Sequence, residues 1–360
     1  MSNPFNPSFG KVPPVFLDRD KEIDNVVEGL KDNNSPWQTT MISGVRGVGK
    51  TAFLADVCRK LEEDKSWLVI DVPSNGKVME SLVQLASEKS ASLLEKAGDS
   101  LSGVSVSVLG LGVGYSNSKE TINYQNELEK ILKKLKDKKM RLLVAIDEVL
   151  ANEEICSFAS IYQIMIRKDY PISLIMTGLP KAISELQNNE ALTFLLRSQR
   201  ITLPFLNEVS VQYSYKNIFD QADREIPLDV LKRMTSLTRG YSYAFQLLGY
   251  YVWDSEEKAV SNETIDSIMD KYKEGLFRNA YFKIFEELSK MDQNFLLAMA
   301  KSENEYVSMK EMVDELNKDN NYLATYRRRL MEAGIINSPS YGHVEFALPL
   351  FKDYLVEFKF

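Results

Sequence analysis

Between residues 44 and 51 the chain reads Gly-Val-Arg-Gly-Val-Gly-Lys-Thr, a spacing whose chemistry is the binding of phosphate. Gly44 and Gly49 bracket a turn whose backbone must wrap closely around phosphate oxygens, where side chains would obstruct it. Lys50 supplies a mobile positive charge for β- and γ-phosphates, and the Thr51 hydroxyl can ligate Mg²⁺. Val45, Arg46, Gly47 and Val48 within the loop, and Ala52 after it, are candidate backbone contacts, because a helix starting here aims free N–H groups at an anion. A second signal is Asp147-Glu148, which ends the apolar run 142–146. Asp147 there can reach Mg²⁺ through a water ligand, and Glu148 can orient or deprotonate an attacking water. Thr177 ends the next apolar run, where it could touch a γ-phosphate or that water.

These groups need elements to carry them. Residues 21–31 place Ile23, Val26, Val27 and Leu30 at helical spacing, and 39–43 is a short strand candidate leading straight into Gly44. A helix follows with Phe53, Leu54, Val57, Cys58 and Leu61 on one stripe, then a strand at 67–71 and a helix at 78–96. Residues 120–138 are again amphipathic. The runs 142–146 and 172–177 suit central parallel strands buried on both faces, with a helix between them to about 168. Residues 200–204 read as a short last strand. Five strands separated by helices predict one doubly wound α/β domain over 1–205. Residues 101–116 break the rhythm: small polar and apolar residues alternate, with Gly103, Gly110, Gly112 and Gly114 as punctuation. That pattern reads as an inserted β-hairpin, packed on the domain's flank or offered to a partner.

From 207 strand signals vanish. Segments 207–222, 227–238, 241–253 and 262–276 read as helices, giving a small helical domain over 206–278. Over 279–360 the layout is helical at 281–301, a short helix opened by a capping box from Ser308 to Glu311, and a third helix at 321–333 stopped by Gly334. Two strands, 335–337 and 344–347, then flank a turn-rich tip. Three helices and a hairpin are the layout of a winged helix-turn-helix.

The 360 residues are 44% hydrophobic and 26% charged, with a net charge of −7. That balance excludes a largely disordered chain and argues against one that coats nucleic acid indiscriminately. Cys58 and Cys156 have neither CxxC spacing nor a histidine nearby, which disfavours a disulfide framework or a structural zinc site. His343 is the only histidine. Residues 1–12 have no apolar signal core and no run approaches 18 apolar residues, so a cytoplasmic, non-membrane location is expected.

The combination resembles the AAA+ and STAND-type P-loop ATPases, particularly a prokaryotic branch near the archaeal replication-initiator ATPases, and the resemblance spans about residues 12–253. Besides the loop and the Asp-Glu strand, Val15-Phe16-Leu17-Asp18-Arg19-Asp20 resembles the family's box beside the adenine. Leu174-Ile-Met-Thr-Gly178 looks like the sensor-1 strand, and Thr238-Arg-Gly-Tyr-Ser-Tyr resembles the start of the lid helix. The resemblance implies ATP and Mg²⁺ as ligands, with Phe16, Arg19 and Tyr241 as nucleotide contacts. It implies an arginine finger near the last strand, at Arg197 or Arg200, acting across a self-association. Departures are a Ser242 where the family often reads Gly-Tyr-Pro, and no arginine inside the lid helix; Arg239 lies just before it.

The winged helix raises double-stranded DNA as a partner, with Tyr326, Arg327, Arg328 and Arg329 on the helix that would enter the major groove. Against it, residues 281–360 hold ten Lys and Arg and thirteen Asp and Glu, a net of −3, which is poor for binding by counterion release. Docking a protein partner is the other use of the module. Two functions of different class follow: a nucleotide-switched ATPase whose output is DNA binding or partner assembly, or a DNA-binding protein in which ATP is structural. A small-molecule kinase is a third, for which no acceptor-site pattern is visible.

Overall fold

The computed structural model describes residues 2–8, 19–96 and 123–359. The hairpin expected at 101–116, Phe16 and most of the box around it lie outside the described residues. Two compact units form: Glu22–Ser43 with Phe53–Ile201, and Met1–Lys21 with Gly44–Ala52 and Thr202–Phe360.

In chain order, the part containing the sheet consists of α1 (Asp20–Lys31), β1 (Thr39–Ser43), α2 (Lys50–Glu62), β2 (Trp67–Asp71), α3 (Val78–Lys96), α4 (Tyr124–Asp137), β3 (Arg141–Ile146), α5 (Glu153–Arg167), β4 (Ile172–Gly178), α6 (Pro180–Gln187) and β5 (Gln199–Thr202). The strand order is β2-β3-β4-β1-β5, and β1/β4, β2/β3 and β3/β4 pair in parallel. This is the expected doubly wound sheet. Every residue of β4 is buried, as are five of six in β3, because helices cover both faces of a parallel sheet. The apolar faces of α3, α4 and α5 close on the strands in one core that includes Leu82, Leu132, Phe158, Tyr162 and Met176. Asn152 starts α5 by accepting from the Ile155 N–H at 2.9 Å, a cap of the kind that defines where a helix begins.

The last strand departs from expectation. It spans 199–202 and alternates half-buried with exposed residues, as an edge strand does. Leu203 and Pro204 lie outside it, and Pro204 has no N–H to give a ladder.

The other unit continues with α7 (Glu208–Asp220), α8 (Leu228–Thr238), α9 (Ser242–Asp254) and α10 (Asn262–Leu276), close to the four helices read from periodicity. Gly240 makes the turn between α8 and α9 at φ +71°, where a Cβ would stand 2.2 Å from the Leu206 carbonyl oxygen. Only glycine fits there. The helix of α10 runs on through a wide turn, Phe277–Tyr281, into α11 (Phe282–Glu286), so the boundary expected near 278 falls inside continuous helix. The single helix expected over 281–301 is broken instead: Ser289 accepts from the Asp292 N–H and opens α12 (Lys290–Lys301).

Beyond it come β6 (Val307–Ser308), α13 (Met309–Leu316), α14 (Asn320–Glu332), β7 (Ile336–Asn337), β8 (His343–Phe346) and α15 (Phe351–Lys359). The strands pair antiparallel in the order β6-β8-β7. Three helices with a hairpin and a short third strand are compatible with a winged helix. Sequence reading missed β6 and α15. The latter buries Phe351, Tyr354 and Leu355 in an aromatic cluster with Phe277 and Tyr281.

The first residues are built into this unit. Phe5, 2% exposed, sits among Tyr215, Phe219, Phe245 and Trp253. The Asn3 side-chain amide donates to the Tyr250 carbonyl at 3.1 Å and to Asp254 at 2.9 Å. Truncating a buried phenylalanine costs about 3–5 kcal/mol. A Phe5→Ala variant is therefore expected to lose stability of that order in denaturant unfolding, and Asn3→Ala less than half as much.

Candidate functional site

The loop Gly44–Thr51 follows β1 in the chain and is shaped by its own residues. Val45 is 6% exposed and Val48 is fully buried, so two valine side chains pin the loop while its backbone turns. Gly47 and Gly49 take φ of +80° and +98°, on either side of a valine. Left-handed residues alternating with ordinary ones make a backbone concavity suited to an anion. The Val48 N–H closes on the Val45 carbonyl at 3.3 Å. Lys50 is buried, and its ammonium donates to the Gly44 and Val45 carbonyls at 3.0 and 3.1 Å. Thr51 lies in the first turn of α2, the positive end of a helix and so the end that suits an anion. Glycines without side chains, a lysine beside them, a hydroxyl and a helix start fit a polyphosphate with Mg²⁺.

Three arginines and a tyrosine near the loop serve its backbone or its surroundings. Arg19, 5% exposed, donates to the Val48 carbonyl at 3.4 Å and to the Pro204 carbonyl at 2.7 Å. The Arg46 side chain pairs with Glu287 at 3.0 Å. Tyr241 is fully buried, and its hydroxyl donates to the Arg46 carbonyl at 2.7 Å. Burial pushes that phenol far above the ordinary range, followed by the neighbouring Tyr243, so it stays a donor. Arg239 caps α8 with φ +45° and donates to the Phe346 carbonyl at 2.6 Å and to Glu305 at 3.0 Å. It ties the helical segment to the hairpin of the C-terminal module.

In the sheet unit, the acidic pair sits where two central strands end. Ile146 is in register with Met176, which brings Asp147 beside Thr177. The fully buried Thr177 hydroxyl donates to the Asp147 carboxylate and accepts the Glu148 N–H at 3.2 Å. The same N–H approaches the Asp147 carboxylate at 3.0 Å, and the Val149 N–H bonds to the Thr177 carbonyl at 2.7 Å. Glu148 itself has φ +50°, the left-handed region that residues other than glycine take uncommonly, because Cβ crowds the backbone carbonyl. Such strain persists where surrounding bonds over-determine it, and here three do. The result is an exposed Glu148 carboxylate on a fixed backbone. Sequence reading found all three residues but not this backbone, nor that the Thr177 proton is committed to Asp147.

Arg197 is exposed at the end of the short helical segment Glu190–Arg197, and Arg200 is exposed on β5 with a long bond to the Leu196 carbonyl at 3.4 Å. On α14, Arg329 pairs at 2.6 Å with Asp292, whose residue is 2% exposed. Arg327 donates to Ser338 in the hairpin turn at 2.5 Å. Tyr326 donates to the Tyr322 hydroxyl at 3.0 Å, and the exposed Arg328 lies 3.9 Å from Glu332. Two of the three arginines are thus used inside the module. Among the described residues no cluster of three metal-ligating side chains occurs, and no helix is long and apolar enough to cross a membrane.

Residues 16–160 match the family described as an ATPase domain predominantly from Archaea. Residues 276–355 match a domain of unknown function (DUF8462). No curated protein matches the chain. Among solved structures, it is similar to a Walker-type ATPase of Pyrococcus abyssi, at 16% identity over 95% of this chain and 96% of that one, with a TM-score of 0.68. It is also similar to the ORC2 protein of Aeropyrum pernix in its ADPNP–ADP complexes, at 12% identity over 98% and 95%, with a TM-score of 0.62. At such identities the likeness carries the fold. The ATPase resemblance is thus matched by the family model over residues 16–160, and the two solved structures match the fold over nearly the whole chain.

Proposed function

We propose that this chain is an ATP–Mg²⁺ switch of the AAA+ or STAND type that hydrolyses ATP slowly and passes the change to its C-terminal module. The observation that carries the reading is the Gly44–Thr51 loop, with two left-handed glycines, a buried lysine on its backbone and a helix starting inside it. Lys50 exchanges its loop carbonyls for phosphate oxygens. Thr51 and Asp147 would hold Mg²⁺, which supplies positive charge to the phosphates. Glu148 takes the proton of the attacking water, and Thr177 fixes Asp147 and the Glu148 N–H while it does so. The nucleotide biases which arrangement of the C-terminal module is favoured, by its differential affinity for the two. A cytoplasmic location suits such a switch.

For the output, partner assembly is better supported than DNA. Arg327 and Arg329 are engaged within the module, and its balance is acidic. The alternative, a DNA-binding protein with structural ATP, needs those arginines free to meet phosphates. Self-association that offers Arg197 to a neighbour's nucleotide is one form the assembly takes.

The test is a titration of the full chain with a fluorescent ATP analogue and Mg²⁺, followed by duplex DNA at several salt concentrations with and without ATP. Saturable binding in the micromolar range is expected, weakened about a hundredfold or more in Lys50→Ala, where a charge-assisted contact worth a few kcal/mol is lost. Absence of saturable binding in the wild type would sink the reading. Salt-dependent, ATP-gated DNA binding would replace partner assembly as the output.

A further inference from the structure

Three consecutive residues at the head of α9 hold three consecutive carbonyls of the glycine-rich loop. The Tyr241 hydroxyl donates to the Arg46 carbonyl at 2.7 Å. The Tyr243 N–H donates to the Gly47 carbonyl at 3.1 Å. The Ser242 hydroxyl donates to the Val48 carbonyl at 3.0 Å. In a planar trans peptide, the carbonyl of one residue and the N–H of the next point in opposite directions. Fixing the carbonyls of 46 and 48 toward α9 therefore turns the N–H groups of Gly47 and Gly49 away from it, while the Val48 N–H closes on Val45. Those two glycine N–H groups are donors that an anion in the loop would use.

We propose that Tyr241, Ser242 and Tyr243 are positioning residues for the loop, so that α9 sets nucleotide affinity through the loop's shape and not by touching the nucleotide. The inference rests on the reading of Gly44–Thr51 as a nucleotide site. It also gives the serine at 242 a task. A proline at this first helical position would keep the helix start, since the first helical turn tolerates it, but would have no hydroxyl for Val48.

The grip acts on the loop, so its loss weakens every polyphosphate alike. Ser242→Ala and Ser242→Pro are expected to raise the Kd for both ATP and ADP by the same factor, roughly fivefold, and Tyr241→Phe by roughly tenfold, the range of one lost hydrogen bond. Ser242→Thr, which keeps the hydroxyl, should bind as the wild type does. Titrations of both nucleotides, with a thermal melt of each variant, read this out. The Ser242 variants carry the test if Tyr241→Phe, at a fully buried position, does not fold. Unchanged affinities in variants of a wild type that binds would overturn the inference and leave the nucleotide site standing. A loss confined to ATP would overturn it too, and assign α9 a direct contact with the terminal phosphate. A wild type that binds neither nucleotide overturns both readings.

Discussion

A Glu148→Gln variant should lose ATP turnover by roughly a hundredfold to a thousandfold, the size of a general-base contribution, while its affinity for ATP stays within about threefold. The separation follows from how the residue is held. Its backbone sits at φ +50° because the Glu148 N–H bonds to Thr177 and Asp147 and the Val149 N–H bonds to the Thr177 carbonyl. None of those bonds uses the Glu148 side chain, so an isosteric amide leaves the turn as it is. The amide cannot accept the proton of a water. Steady-state phosphate release and a binding titration with the same preparations measure the two effects. Equal, negligible turnover in wild type and variant would remove the switch with turnover and favour the protein whose ATP is structural. A parallel loss of binding would instead place Glu148 among the groups that hold the nucleotide.

Much of this was legible because it is local. A glycine-rich octapeptide between a strand and a helix announces its own backbone, and buried strands of five to seven apolar residues announce a parallel sheet by composition alone. Asp147-Glu148 could be placed at a strand end because it follows such a run. What was not legible depends on partners distant in sequence. Nothing near Thr177 says that its hydroxyl meets Asp147; the register of two strands decides it. Arg327-Arg328-Arg329 reads as one basic patch, yet Arg329 turns to Asp292 and Arg327 to Ser338, each choice made by packing. Ser289 looks like one more polar position in a helix over 281–301. It breaks that helix because its side chain competes for a backbone N–H. The missed α15 carried a usable signal, Phe351, Tyr354 and Leu355 at helical spacing, hidden by its position at the end of the chain after a strand.

Two glycines with nearly the same backbone allow the loop's geometry to be tested by contrast. Gly76 has φ +75° and nothing within 4 Å of where a Cβ would stand, whereas Gly47 has φ +80° and a Cβ there would lie 2.3 Å from the Tyr241 hydroxyl oxygen. Alanine at either position is strained by its left-handed backbone, at about 1 kcal/mol. At 76 that is the whole effect: Gly76→Ala should melt slightly earlier and bind nucleotide as the wild type does. At 47 the methyl must also displace a buried hydroxyl from the Arg46 carbonyl, which leaves a polar group without its partner and costs a further ~1–3 kcal/mol. If the chain instead relieves the clash by moving the loop, that cost appears in binding, and at about 1.4 kcal/mol per tenfold nucleotide affinity falls roughly thirtyfold or more. Combining Gly47→Ala with Tyr241→Phe separates the contributions. Once the methyl has broken the Tyr241–Arg46 bond, removing the hydroxyl should add little, so the two changes are expected to be strongly non-additive. Additive losses of affinity would show that Gly47 and Tyr241 act independently, and the Tyr241 bond to Arg46 would then have no part in the shape of the loop.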